Sequence, residues 1–116
     1  MKIAIVGAGA MGCLYGAKLS AGVCDLAIVF VKSTLTGTAV KTNRAVFGPN
    51  TVALTLQNGL GNIDQIRAEI GDDNVIAGTT AHGATMLGPG KIRHAGKGKT
   101  IIGEINRQCT DRIEEI

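Results

Sequence analysis

A chain of 116 residues, 45% apolar and 18% charged, suffices for one ordinary domain with a real core and is too apolar to be disordered. No apolar run approaches the roughly 18 residues of a membrane span, and the N-terminus lacks the charged-then-apolar layout of a secretion signal, so a cytoplasmic protein is expected. The net charge of +3 comes from dispersed lysines and arginines, and Tyr15, Phe30 and Phe47 are the sole aromatics available for stacking, which argues against nucleic acid as a partner.

The run Ile3-Ala4-Ile5-Val6 reads as a strand, and Gly7-Ala8-Gly9-Ala10-Met11-Gly12 opens directly behind it. In this pattern the first glycine permits a tight strand-to-helix turn, the second lets backbone approach a pyrophosphate, and the third lets helix and strand pack closely. Free N–H groups at the helix start then face the anion. A bare GxGxxG is a weak signal in a chain with 17 glycines, but Ala10, Leu14, Ala17 and Ala21 continue it as a helical stripe and Gly22 follows as a C-cap. A bound dinucleotide is the expectation.

Leu26 to Val31 is uninterrupted apolar sequence, the pattern of a strand covered on both faces of a parallel sheet, with Lys32-Ser33 at its carboxyl end. A helix is predicted near Leu35 to Phe47, a turn at Gly48-Pro49-Asn50, and a strand from Thr51 to Leu56 that ends in Gln57-Asn58-Gly59-Leu60-Gly61. Asn62 with Gln65 three residues later resembles a capping box, and Ile63, Ile66 and Ile70 form a helical stripe closed by Gly71. Val75 to Thr80 reads as another buried strand. Beyond Ala81, Lys91-Ile92-Arg93-His94 and Thr100-Ile101-Ile102-Gly103 are predicted to pair as a hairpin across Ala95-Gly96-Lys97-Gly98, adding an antiparallel edge. Cys109, Ile113 and Ile116 suggest a last helix. Strands alternating with helices predict an α/β fold, a Rossmann-like doubly wound and mainly parallel sheet.

Cys13, Cys24 and Cys109 are an odd number without CxxC or His-paired spacing, so neither a disulfide framework nor a metal site is indicated. Lys91, Arg93, Lys97 and Lys99 form either a solvated face or a local field favouring an anion. His82 and His94 read as structural hydrogen bonders and are left out of catalysis.

Four blocks in order carry a resemblance: Lys2 to Gly12, Val29-Phe30-Val31-Lys32-Ser33, Leu56 to Asn62, and Gly78-Thr79-Thr80-Ala81-His82-Gly83-Ala84, with Gly88 to Gly96 as a fifth stretch. On these the chain resembles the ketopantoate reductase (2-dehydropantoate 2-reductase) family, specifically its N-terminal NADP-binding domain. The resemblance implies NADPH-dependent reduction of ketopantoate, a small 2-keto acid, to pantoate on the route to coenzyme A. It assigns Gly7, Ala8, Gly9, Ala10, Met11 and Gly12 to the pyrophosphate loop, Lys32 to the cofactor, Asn58 to the nicotinamide ribose and the substrate, and Ala84 to a backbone contact with the cofactor. Chemistry agrees at two of these positions. Ligands bind beyond strand carboxyl ends, where an ammonium can meet phosphate or ribose, and an amide offers both donors and an acceptor. A solvated lysine at Lys32 and a turn asparagine before Gly59 remain the plain alternatives. Lys32 also admits a reading in which Leu26 to Val31 is the second strand and the lysine reads a 2′-phosphate.

Two departures qualify the resemblance. Between Gly22 and Asp25 the family's second and third strands with their helices, roughly fifty residues, are missing. Joining the first helix straight to the fourth strand would demand a left-handed crossover, against the about 98% that are right-handed, so an interruption of the chain is expected there. The C-terminal helical domain is missing too, and with it the proton-donating lysine, so no catalytic residue is assigned to this chain. Residues 1–105 are therefore expected to form a dinucleotide-binding domain incomplete between Gly22 and Asp25, and residues 106–116 to begin a helix leading toward the absent domain, through which a homodimer could form. The choice of NADP over NAD rests on the resemblance, because the selective residue belongs at the end of the second strand. A non-catalytic dinucleotide-binding module, or a reductase of another 2-keto or 3-hydroxy acid, stands as the alternative.

Overall fold

The computed structural model describes residues 1–7, 22–89 and 91–116. In chain order these form β1 (Ile3–Val6), β2 (Cys24–Val29), α1 (Thr36–Thr42), β3 (Phe47–Thr55), α2 (Asn62–Ile70), β4 (Val75–Thr80), β5 (Gly83–Gly88), β6 (Lys91–Gly96), β7 (Thr100–Glu104) and α3 (Asp111–Glu115). Strands β1 to β4 are parallel neighbours in that order, β7 closes the sheet antiparallel to β4, and β5 and β6 make a separate antiparallel pair. The Rossmann-like expectation holds. Three parallel strands running outward from β1 match the 4-5-6 half of a doubly wound order, not the shorter 2-3 half, which disfavours Leu26 to Val31 as the second strand. Among the described residues nothing pairs with the other edge of β1, where strands 2 and 3 of that order would lie.

Side chains alternate across the sheet and so build two cores. Ala4, Val6, Ala27, Val29, Ala53 and Val75 pack on one face with Val40 of α1 and Ile66 of α2. Leu26, Leu54 and Ile76 occupy the other, joined by Ile102 of β7 and Ile113 of α3. Gly78 in β4 permits the approach of β7, since a Cβ there would lie 2.2 Å from the Ile101 carbonyl oxygen.

Local predictions fail at five places, each for an identifiable reason. β2 begins at Cys24, because Asp25 N–H donates to Lys2 O (2.8 Å) and the Asp25 carboxylate accepts from Lys2 N–H, zipping it to the chain before β1. The helix predicted to reach Phe47 stops at Thr42, where the Asn43 side chain donates to Ala39 O (2.8 Å) and a 3-10 turn, Arg44–Val46, leads into β3. Gly48-Pro49-Asn50 is not a turn before the strand but a bulge within it. Phe47 faces Cys24 and Val52 faces Leu26, so Gly48 to Thr51 oppose Asp25 alone. Asn62 and Gln65 form no capping box, since Gly61 with φ +81 is the cap and both side chains reach other loops. Finally, β6 pairs with β5 and not with β7 as predicted, while β7 pairs with β4 and uses Ile102 to cover Ile76 in the main sheet. Gly71 closes α2 with φ +94, as the sequence indicates. The stripe Ala10 to Ala21 and Cys13 lie outside the described residues.

Candidate functional site

Strand register brings the predicted residues to one edge. Val6, Val29, Thr55 and Ala77 stand level across β1 to β4. Gly7 is the next residue of β1's chain, and Lys32 and Asn58 each follow that row by three positions. All three thus emerge at the carboxyl ends of parallel strands, where α/β sheets bind ligands. Gly7 has φ +140, and a Cβ on it would sit 2.3 Å from the Phe30 carbonyl oxygen, so the strand can leave the sheet here only with glycine. Ala8, Gly9, Ala10, Met11 and Gly12 lie outside the described residues. Ala84 follows the carboxyl end of β4 on the separate β5–β6 pair, half-buried and opposite His94.

The loops bearing Lys32 and Asn58 touch: a Cβ built on Gly59 would lie 3.8 Å from the Ser33 side chain. They are stitched by neutral side chains. Gln65 donates to Ser33 O (3.4 Å) and accepts from Gly37 N–H (3.1 Å), Gln57 donates to Val31 O (2.5 Å), and Asn62 donates to Asn58 O (3.1 Å). With their frame held this way, the Lys32 and Asn58 side chains are themselves exposed and make no hydrogen bond or ion pair among the described residues. Leu60 is 99% exposed between Gly59 (φ +97) and Gly61 (φ +81), above a cavity of about 230 Å³ lined by Thr55, Gln57, Asn62 and Gly78.

Electrostatics separate the two ends of the sheet. Residues 30–35, 56–61 and 81–82 contain no carboxylate, so Lys32 meets no local counter-charge in the loops beside it, a donor set suited to a polyanion such as a dinucleotide. At the amino ends two acids, Glu104 and Asp72, are held in ion pairs. Glu104, its side chain 4% exposed, is gripped by Arg112 (2.5 Å) and accepts from Thr110 (2.5 Å), while Arg112 also donates to Asp73 O (2.8 Å). The Arg112 guanidinium holds the Glu104 carboxyl below the usual carboxylate range. Asp72 is lowered in the same way by Arg67 at 2.8 Å, on the open surface. A cavity of about 340 Å³ opens among these groups, with four of its charged side chains tied up in the Arg67–Asp72 and Glu104–Arg112 pairs.

His82 Nδ1 and His94 Nε2 lie 2.9 Å apart with stacked rings, so the histidine just before β5 and the one in β6 are each other's hydrogen-bond partner. Cys24 is buried, which pushes its thiol pKa up, and Cys109 is exposed. Sequence reasoning missed the roles of Thr36, Gln57 and Gln65. The available signal was four amide side chains within residues 57–65, Gln57, Asn58, Asn62 and Gln65, more than so short a stretch can satisfy unless some bond to a neighbouring loop.

Residues 20–107 match the family described as ketopantoate reductase PanE/ApbA. A 2-dehydropantoate 2-reductase of Halobacterium salinarum is 46% identical over 93 residues, 79% of this chain and 30% of that protein. One of Pyrococcus abyssi is 43% identical over 79 residues, 68% of this chain and 25% of that protein. The chain thus spans under a third of the curated relatives it matches. Among solved structures, 2-dehydropantoate 2-reductase from Geobacter metallireducens superposes with a TM-score of 0.85 at 28% identity, covering 99% of this chain and 53% of that one. A D-mandelate dehydrogenase in complex with NADH superposes with a TM-score of 0.79 at 26% identity, covering 92% and 48%. With residues 20–107 matched by the family and nearly the whole chain superposing on a solved reductase, the chain belongs to the ketopantoate reductase family.

Proposed function

We propose that this chain is the cofactor-binding part of an NADPH-dependent reductase that converts ketopantoate to pantoate. The observation that carries the reading is the convergence of Gly7, Lys32 and Asn58 at the carboxyl ends of the parallel strands, beside loops 30–35, 56–61 and 81–82 that carry no carboxylate, in a chain of this family. Gly7 and the following Ala8, Gly9, Ala10, Met11 and Gly12 would hold the pyrophosphate, Lys32 a phosphate or ribose oxygen, and Asn58 the nicotinamide ribose together with the substrate. Ala84 would add a backbone contact. When bound, the reduced nicotinamide supplies the hydride for the C2 carbonyl. The chain's own residues contribute binding and orientation, and the proton comes from a lysine of the C-terminal domain found in longer members. That domain, and the strands absent between Gly22 and Asp25, are assigned to the whole enzyme, with any dimer contact.

The test is a fluorescence titration of the chain with NADPH and with NADH, followed by an NADPH oxidation assay with ketopantoate. Saturable dinucleotide binding without turnover supports the reading for this chain. An absence of binding contradicts it. The likeness to D-mandelate dehydrogenase with NADH favours a second reading, a reductase of another 2-keto acid that prefers NADH, and tighter binding of NADH than NADPH would select it.

A further inference from the structure

Lys32 and Asn58 sit on different loops, and one chain of hydrogen bonds running in a single direction sets their relative placement. Gln57 Nε2 donates to Thr36 Oγ1 (3.0 Å), and the Thr36 hydroxyl donates to Asn62 Oδ1 (3.0 Å). Asn62 Nδ2 then donates to the carbonyls of Asn58 (3.1 Å) and Gly59 (3.2 Å). At the other end, Gln57 Nε2 also donates to Val31 O, immediately before Lys32, while Gln57 Oε1 accepts from Thr55 Oγ1 (3.0 Å). Thr36 is 0% and Asn62 3% exposed, and among the described residues no buried side-chain polar atom lacks a partner.

The chemistry of the middle link is restrictive. Thr36 must accept on one side and donate on the other, so a hydroxyl is required there. A methyl in its place orphans an amide N–H and an amide oxygen together. The Val31 carbonyl fixes the flip of Gln57 and the Asn58 and Gly59 carbonyls fix that of Asn62, and the two amides together set the direction of the Thr36 hydroxyl, which makes the links cooperative.

We propose that Thr36 is a positioning residue whose hydroxyl locks the Asn58 loop to the Lys32 loop and so pre-organises both side chains for the dinucleotide. The proposal rests on the reading of Lys32 and Asn58 given above. It is tested on the full chain with Thr36→Val, Thr36→Ser and Gln57→Met, by backbone ¹⁵N relaxation without ligand and by NADPH titration. In Thr36→Val the order parameters of residues 31–33 and 58–61 should fall from about 0.85 toward 0.6 while β4 stays rigid. The NADPH Kd should rise about 5- to 30-fold. Thr36→Ser should restore both, and Gln57→Met should loosen both loops as Thr36→Val does. Loops that stay rigid in Thr36→Val and Gln57→Met, loosening spread equally over β4, or failure of Thr36→Ser to rescue overturns the proposal. If Thr36→Val does not fold, Gln57→Met decides by the same criteria. A wild-type chain that binds no NADPH overturns the functional reading instead, and the relaxation data still support or refute the lock between the loops.

Discussion

The two ends of the sheet solve opposite problems. At the amino ends, Glu104, Arg112, Arg67 and Asp72 neutralise one another, and Thr110 and the Asp73 carbonyl complete the Glu104–Arg112 group. At the carboxyl ends, hydroxyls and amides hold the loops in place and leave the Lys32 and Asn58 side chains without partners among the described residues. Satisfied charge fastens an element, whereas satisfied neutral groups beneath an unsatisfied cation make a place for a ligand. The larger of these two cavities lies at the charged end, so cavity size alone would point away from the strand ends that carry Gly7, Lys32 and Asn58.

Substitutions should affect the two ends differently. The largest effect is expected at Gly7, where Gly7→Ala drives a methyl into the Phe30 carbonyl at a left-handed φ. It should cost about 3–5 kcal/mol, read as a lowered urea midpoint. Arg112→Ala should cost about 2–3 kcal/mol by stranding the buried Glu104 carboxylate, with no effect on dinucleotide affinity. Its pH dependence has a definite sign. Because the folded pKa of Glu104 is lowered, the contribution is complete above the unfolded value of about 4.3 and is lost as pH falls through the folded one. The stability gap between wild type and Glu104→Gln should therefore stay constant from neutral pH down to that range and close below it.

Asn58→Ala and Lys32→Ala should behave in the opposite way, weakening NADPH binding about 2- to 12-fold each while leaving the urea midpoint unchanged. Lys32→Ala should also flatten the salt dependence of binding. The smallest effect belongs to Arg67→Ala. Its partner Asp72 is open to water, so the unfolding midpoint should not move measurably, in contrast to Arg112→Ala. A stability loss at Asn58, or a binding loss at Arg112, would break the division between the two ends.

Much of this was legible in the sequence. The uninterrupted apolar run Leu26 to Val31 announces β2, Val75 to Thr80 reads as the strand β4, and the Ile63, Ile66, Ile70 stripe with Gly71 announces α2. Glycine at position 7 was readable as a turn requirement, and the structure adds the Phe30 carbonyl that enforces it. Pairing partners were not legible. Lys91 to His94 and Thr100 to Gly103 both read as strands, yet which neighbour each takes depends on Gly78 admitting β7 and on Ile102 covering Ile76. The bulge at Gly48-Pro49-Asn50 looked like a turn because local composition reports a departure from regular pairing without saying whether the strand resumes. In the site, the exposed Lys32 and Asn58 were visible from their places at strand ends. The buried Thr36 was not, because a hydroxyl at a helix start is common and its meaning comes from Gln57 and Asn62 across the loop.

The most direct measurement is a ¹H–¹⁵N correlation spectrum of the chain titrated with NADPH. The account predicts saturable shifts at Gly7, Lys32 and Asn58, the residues at the carboxyl ends of β1, β2 and β3, with Asp72, Glu104 and Arg112 unmoved. A spectrum unchanged by NADPH, or shifts concentrated around Glu104 and Arg112, would contradict it.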